Sequence, residues 1–368
     1  MSVSAVKSGA AVWRAIGSWT ERGQAWLLLH KHALYGLSAT RVLVGVAVLG
    51  LLLSNFPARH VLWGPGSFWA EPFRENSDFG ALLGLYEGSG PLLFTAQYLV
   101  LIALTVAVIL GWRTRLSTIL LVIGLAALVE RADTVGDQGD NIARIGLTFM
   151  VLMTTNAHWS LDARRRRLGQ ERGVRTLWER IWYGAPFLPG WFTTLLHNAA
   201  LIALACQLFI LYTASALFKV QGNLWQEGTA LYYPLALHEY AVYPWLNALV
   251  YDNPYILTVA TYFSVYVQLF FAVGLLHPLT RRLAILGVIL LHGGIAVMMG
   301  LPWFSLAMLA FDAIFVTHRT WHWIERRLIG LAGKMKRRAG EPPSREDQEQ
   351  VPHDGARRPS RRTQQQPV

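Results

Sequence analysis

Cysteine is almost absent: the 368-residue chain has one, Cys206, inside an apolar run, which excludes an intrachain disulfide and leaves no thiolate set for a metal. Charge is scarce too, at 15% Asp, Glu, Lys and Arg, against 53% hydrophobic residues and a mean hydropathy of +0.33. Such a balance belongs to a polytopic membrane protein with several segments long enough to cross a hydrocarbon layer of about 30 Å. Acidic residues are the scarcer sign, 22 against 33 basic, giving a net charge of +11 and a pI near 10.0. The basic residues sit in short clusters beside apolar segments, so they speak for orientation in a membrane and against nucleic-acid binding. Residues 1–33 lack a compact apolar core with a small-residue cleavage site, so no cleavable signal peptide is expected and the first span directs insertion. A Walker loop, HExxH, GxSxG and a heptad seam are all missing, which sets aside ATP-driven transport and the familiar hydrolases as leading ideas.

What is present is apolar length. The runs predict about eight spans, over 34–53, 91–111, 116–130, 142–159, 195–218, 255–276, 283–300 and 302–317. The predicted fold class is all-α, a membrane helical bundle of about eight transmembrane helices with surface-lying amphipathic helices. One of the latter is marked by Trp13, Ile16, Trp19 and Trp26 among Lys7, Arg14 and Arg22; Leu177, Trp178, Ile181 and Trp182 mark another. Residues 1–33 thus form an N-terminal amphipathic segment, 34–318 the transmembrane domain and 319–368 a basic, mostly disordered tail. Basic clusters at 7–31, 113/115, 164–167, 281/282 and from 319 onward fall on one face of such a bundle. The positive-inside rule then predicts a multi-pass protein of the cell membrane, both termini cytoplasmic, with the loops 55–90 and 220–254 outside.

The polar residues inside these runs are the candidates for function. Lys219 closes the fifth span, and a lysine near bilayer depth is kept by a partner, by water or by a task. Stepping back in fours gives Ser215, Leu211 and Gln207 on its helix face, which is expected to look into protein. A lysine at a helix end also snorkels to the interface without any chemistry, so both readings stand. His292, mid-way along the seventh span beside Gly293 and Gly294, and Asp312 in the eighth are intramembrane ionisable groups; Arg41, Arg144 and His292 are the possible partners of Asp312. Asp140 and Arg144 stand four apart and predict an ion pair along the fourth span, with Asn141 as a helix cap or a contact to a neighbour. Glu227 and His238, in the loop after Lys219, are acid–base types that are usually just solvated in loops.

Three stretches together resemble the HTTM family, the transmembrane module of vitamin K-dependent γ-carboxylases and many bacterial membrane proteins: GDNIARIGLTFMVLMTTNAHWSLDA at 139–163, FKVQGNLWQEGTALYY at 218–233 and LHGGIAVMMGLPWFSLAMLAFD at 291–312. The resemblance covers roughly residues 30–320. It implies that Lys219, at the head of the element that reaches Trp225, deprotonates a reduced quinone, the one cofactor it suggests. The carboxylases carry a histidine where this chain has Ile142, and their large extracytoplasmic domain is replaced here by the basic tail, both of which point away from glutamate carboxylation. The short bacterial members, among them the membrane subunit of sporulation-delaying peptide-toxin systems, imply a role in maturation or export of a secreted peptide. The partners so implied are the lipid bilayer, a secreted peptide precursor and a companion membrane subunit, with no nucleic acid. The alternative is a membrane-embedded enzyme acting on a quinone or a peptide with Lys219, His292 and Glu227 as catalytic groups; Asp140, Asn141, Arg144, Trp225 and Asp312 then serve as structural polar residues. A solute or proton carrier is a further alternative, set against the lack of an inverted repeat.

Overall fold

The computed structural model of the chain describes residues 20–67, 84–132, 135–173, 176–184 and 188–340. Among these residues every regular element is a helix. The chain divides after His318 into two units.

The first unit holds α1 (Leu34–Ser54), α2 (Pro91–Leu110), α3 (Thr114–Arg131), α4 (Gln138–Leu152), α5 (Leu161–Arg172) and α6 (Leu177–Tyr183). It continues with α7 (Gly190–Gln221), α8 (Pro244–Tyr251), α9 (Pro254–Leu269), α10 (Pro278–Met298) and α11 (Pro302–Asp312). Local signals set the starts. Proline opens α2, α8, α9, α10 and α11, where its missing N–H costs nothing. Capping boxes open α4 (Asp137 with Asp140) and α6 (Thr176 with Glu179).

Among the described residues four helices, α1, α2, α7 and α10, are long and apolar enough to cross a membrane. They make this an all-helical, membrane-associated protein. Their outward faces remain apolar: Leu92 on α2 is 86% exposed and Phe218 on α7 is 76% exposed. Faces of that extent suit a lipid solvent and not water. Helices also stand at the four other predicted spans, but they are shorter. α11 has 11 residues, or roughly 16 Å at 1.5 Å per residue, about half a hydrocarbon layer. α4 stops at Leu152, not at Trp159, because Met153 turns to extended backbone and the segment that follows is recruited to bind Arg41.

α1 is the central element, packed on α11 and α2, while α4 touches α3, α11 and α7, and α7 lies along α9. Missing side chains allow the close approaches. A Cβ on Gly50 of α1 would fall 2.3 Å from the Trp303 ring, and one on Gly146 of α4 would fall 2.2 Å from Phe311. Arg41, fully buried in α1, pairs with no carboxylate among the described residues; its guanidinium donates to the carbonyls of Val108 (2.6 Å), Ile109, Thr155 (3.1 Å), His158 (3.4 Å) and Trp159 (2.7 Å). Two of these belong to the last turn of α2, where the orphan carbonyls and the helix dipole favour a cation.

The turn between α2 and α3 is tied to α5. Asp162 accepts from the amides of Arg113 (3.0 Å) and Thr114 (2.8 Å), from the Thr114 hydroxyl (2.7 Å) and from Asn156 (3.1 Å), so a carboxylate of one helix caps the N-terminus of another. Burial pushes the Asp162 carboxyl up, but these donors outweigh it and hold the group below the usual carboxylate range. At the start of α7, buried Asn198 donates to the carbonyls of Trp26, Leu27 and His30, and His197 bridges Thr154 N–H and His32 C=O. The chain before α1 is thereby fastened to the bundle.

The described part of the second unit, residues 319–340, is all but the first residue of the helix α12 (His318–Gly340), with Arg327 over the Trp323 ring at 5.2 Å. Helix thus continues through the first part of the tail read from the sequence as mostly disordered, and the Pro/Gln/Arg stretch from 341 lies outside the described residues. So do Trp13, Ile16 and Trp19 of the predicted N-terminal amphipathic helix. Trp26 falls in a described helix over 20–28 and stacks on His32 at 4.3 Å.

Candidate functional site

α7 is packed through a seam of Leu201, Leu204, Leu208, Tyr212 and Ala216, spaced by three and four residues. Continuing that seam brings Ser215 and then Lys219 to the same side. α9 presents the buried stripe Leu257, Thr261, Ser264 and Gln268 toward it. The amide of Gln268 is the meeting point: its Oε1 accepts from the Lys219 ammonium and, at 3.2 Å, from the Ser215 hydroxyl. Lys219 Nζ also lies 5.1 Å from the centre of the Trp225 ring, a cation–π contact that closes its outer side.

Two turns back along α7 from Lys219, Tyr212 is fully buried and donates its phenol proton to Asp312 Oδ2 at 2.7 Å. His292 Nε2 stands 3.4 Å from the same phenol oxygen. Because the phenol proton is directed to Asp312, the imidazole Nε2–H is the donor to Tyr212, which leaves Nδ1 as an acceptor. His292 Nδ1 and Asp312 Oδ1 are buried and have no hydrogen-bond partner among the described residues. Phe271 packs on Tyr212 at 4.6 Å and Phe304 on His292 at 5.8 Å, so these polar groups are walled by aromatic carbon. Orphaned polar atoms in such surroundings are costly, and their presence asks for a reason.

Sequence reading located Lys219, His292, Asp312 and Trp225, and the structure brings all four into this region. It missed Tyr212 and Gln268. The face counted back from Lys219 in fours runs one residue to the side of the real seam, passing Leu211 and Gln207 in place of Tyr212 and Leu208. For Tyr212 the available signal was its place on the four-residue repeat of Leu204 and Leu208; for Gln268 it was a polar stripe with Thr261 and Ser264 along an otherwise apolar helix. Glu227 is not part of the cluster: it is exposed at the end of the short helix Asn223–Gln226, and among the described residues its carboxylate makes no ion pair. His238 opens a short 3-10 turn, exposed as well.

The expected Asp140–Arg144 pair is replaced by another. The Asp140 carboxylate turns back to the amide of Asp137 at 3.2 Å to complete the capping box, while Arg144 crosses to Glu130 on α3 and takes the Asn141 amide oxygen at 3.3 Å. Asp137 is the cap, so Asn141 serves instead to hold Arg144 in place. Of the partners considered for Asp312, Arg41 and Arg144 are engaged elsewhere, and His292 reaches it only through Tyr212. No group of three or more His, Cys, Asp and Glu able to hold a metal occurs among the described residues.

Fold and site together define a membrane-associated helical protein with a half-buried Lys–Gln–Ser cluster beside a buried Tyr–Asp–His one. Compared with protein-family models, curated proteins and solved structures, the chain matches none.

Proposed function

We propose that this is an eight-span protein of HTTM type, with both termini cytoplasmic, in which Lys219 acts as a base on a peptide being matured for secretion. The observation that supports this reading is the set of neighbours around Nζ: an amide oxygen, a hydroxyl that shares it, and an indole face. None of these is a carboxylate that would lock the amine as an ammonium. A lysine held by neutral groups at the edge of a desolvated region is suited to take and return a proton. The orphaned His292 Nδ1 and Asp312 Oδ1 provide an acceptor and a carboxyl oxygen for relaying it. Exposed Tyr232, Tyr233 and Trp245 in the segment after Lys219 offer a surface for an extended chain at the membrane boundary. The resemblance of 139–163, 218–233 and 291–312 to the HTTM family supports the same class and names a quinone as the lipid-soluble reactant of the related carboxylases.

Arginine is the discriminating probe, since it keeps the charge and snorkels but does not give up its proton. Cells carrying wild type, Lys219→Arg or a deletion are compared by mass spectrometry of the secreted peptides, with membrane abundance measured in parallel. Lys219→Arg is expected to be present at wild-type abundance and to reproduce the deletion pattern. A wild-type peptide pattern in Lys219→Arg removes the base and leaves a non-catalytic partner in peptide export.

A further inference from the structure

At the other end of α7 lies a cavity of about 620 Å³, lined by the chain before α1, the α2–α3 turn, the exit of α4, the start of α5 and the start of α7. Its charge is lopsided. Lys31, Arg113, Arg115, Arg165 and Arg166 line it with a single acid, Asp162. That carboxylate is already committed to Thr114, Arg113 N–H, Asn156 and Arg165, the last at 3.3 Å. Among the described residues the partner of Lys31 is neutral, the Thr154 hydroxyl at 3.0 Å, and Arg166 donates to the Asn156 carbonyl at 2.6 Å. Burial and the nearby guanidiniums of Arg115 and Arg166 hold the Lys31 amine below its ordinary range, the mark of cations gathered without enough counter-charge. Folding brings these like charges together at a cost that an anion in the cavity would offset.

The geometry points to a binding site for an anionic phosphate ester, such as the headgroup of an acidic lipid. Guanidiniums match phosphate oxygens in a planar, two-point fashion, and Lys31 adds a point charge. The depth fits as well: α6, beside the cavity, exposes Leu177, Trp178 (79%) and Trp182, and Trp182 carries the guanidiniums of Arg113 and Arg165 over its ring at 5.5 and 5.9 Å. A short helix with exposed tryptophans backed by arginines sits where headgroups are. This site is separate from the Lys219 region and does not rest on the function proposed for it.

The test uses the full-length protein. In nanodiscs of phosphatidylcholine containing phosphatidylglycerol, native mass spectrometry counts the lipids that stay bound; in detergent, thermal unfolding is compared in inorganic phosphate and in chloride at equal ionic strength. Phosphatidylglycerol is expected to be retained over phosphatidylcholine, with the preference falling about fivefold for each of Lys31→Ala and Arg115→Ala. Arg282→Gln, a change at an exposed arginine outside the cavity, is expected to leave it intact. If phosphate stabilises the wild type but not these variants, while the lipids are retained equally, the site takes a free phosphate ester. Arg115 is exposed, so Arg115→Ala gives a folded variant even if Lys31→Ala does not. The proposal is overturned if neither phosphatidylglycerol nor phosphate differs from its control, or if Arg115→Ala responds as the wild type does.

Discussion

The phenol of Tyr212 and the carboxyl of Asp312 meet at 2.7 Å across α7 and α11, and no other described side chain bonds to that carboxyl. Tyr212→Phe therefore strands Asp312 and removes the acceptor of His292 in one step. The expected loss is about 1–3 kcal/mol of stability, the cost of a buried group left unpaired. Tyr212→Phe combined with Asp312→Leu is expected to be less destabilised than Tyr212→Phe alone, because both ends of the bond are then apolar. Thermal unfolding in detergent measures both; a wild-type melting temperature for Tyr212→Phe would show that the bond contributes nothing.

Gln268→Glu exchanges the neutral anchor of Lys219 for a carboxylate of the same shape. The new ion pair is expected to keep the protein folded and to hold the amine protonated, so the secreted-peptide pattern should match that of Lys219→Arg. Wild-type output from a folded Gln268→Glu protein would mean that the amine need not lose its proton.

Arg144 and Glu130 join α4 to α3 while remaining about a quarter and a fifth exposed, at 26% and 20%. Partial solvation keeps the pair near the low end of the ion-pair range, so Arg144→Ala or Glu130→Ala should cost about 1 kcal/mol. The exchange Arg144→Glu with Glu130→Arg should recover part of that loss. Asp140→Ala removes the capping box instead, costing about 1 kcal/mol independently of Arg144. Strong coupling between Asp140 and Arg144 in a double-mutant cycle would restore the pairing expected from their spacing.

Asp162 gives a pH signature. Its carboxyl lies below the usual range in the folded protein, so its contribution to stability is complete above the ordinary aspartate pKa and is lost as pH falls through the lower, folded value. Asp162→Asn should melt earlier than wild type at neutral pH and show less decline on acidification. Parallel acid profiles for the two proteins would contradict the capping role assigned to the carboxylate.

Gly111 ends α2 with φ +65°, and a Cβ there would stand 2.3 Å from Ser160 Cβ and 3.0 Å from the Arg41 guanidinium. Left-handed backbone alone costs a non-glycine residue about 1–2 kcal/mol, and the clash adds to it. Gly111→Ala is expected to lower the yield of folded protein in size-exclusion chromatography far more than Gly90→Ala, where the added carbon meets open space. Equal yields would mean that the turn adapts.

Helix positions were legible because apolar length and arginine clusters are properties of single segments. The pairs were not, because they depend on which faces meet. Asp140 and Arg144 sit at a spacing that favours contact, yet the local capping box took the acid and a neighbouring helix took the base. Tyr212 and Gln268 look in sequence like an ordinary aromatic and an ordinary amide; only the contact of α7 with α9 and α11 turns them into the partners of Lys219 and Asp312. Arg41 was sought a carboxylate and found backbone, a partner no side-chain pattern announces.

The coordination of Arg41 also bears on biogenesis. As the chain leaves the ribosome, α1 is made before its partners, and the carbonyls of Thr155 and Trp159 follow 114 and 118 residues after Arg41. Until then the Arg41 guanidinium, two turns into α1, has no permanent host, and an isolated arginine in an apolar helix is costly in a bilayer. The nascent α1 must therefore be sheltered by the insertion machinery or by water until α2 and the α4 exit are made. The protein cannot be assembled one finished helix at a time; α1 is complete only when the α4 exit has been made.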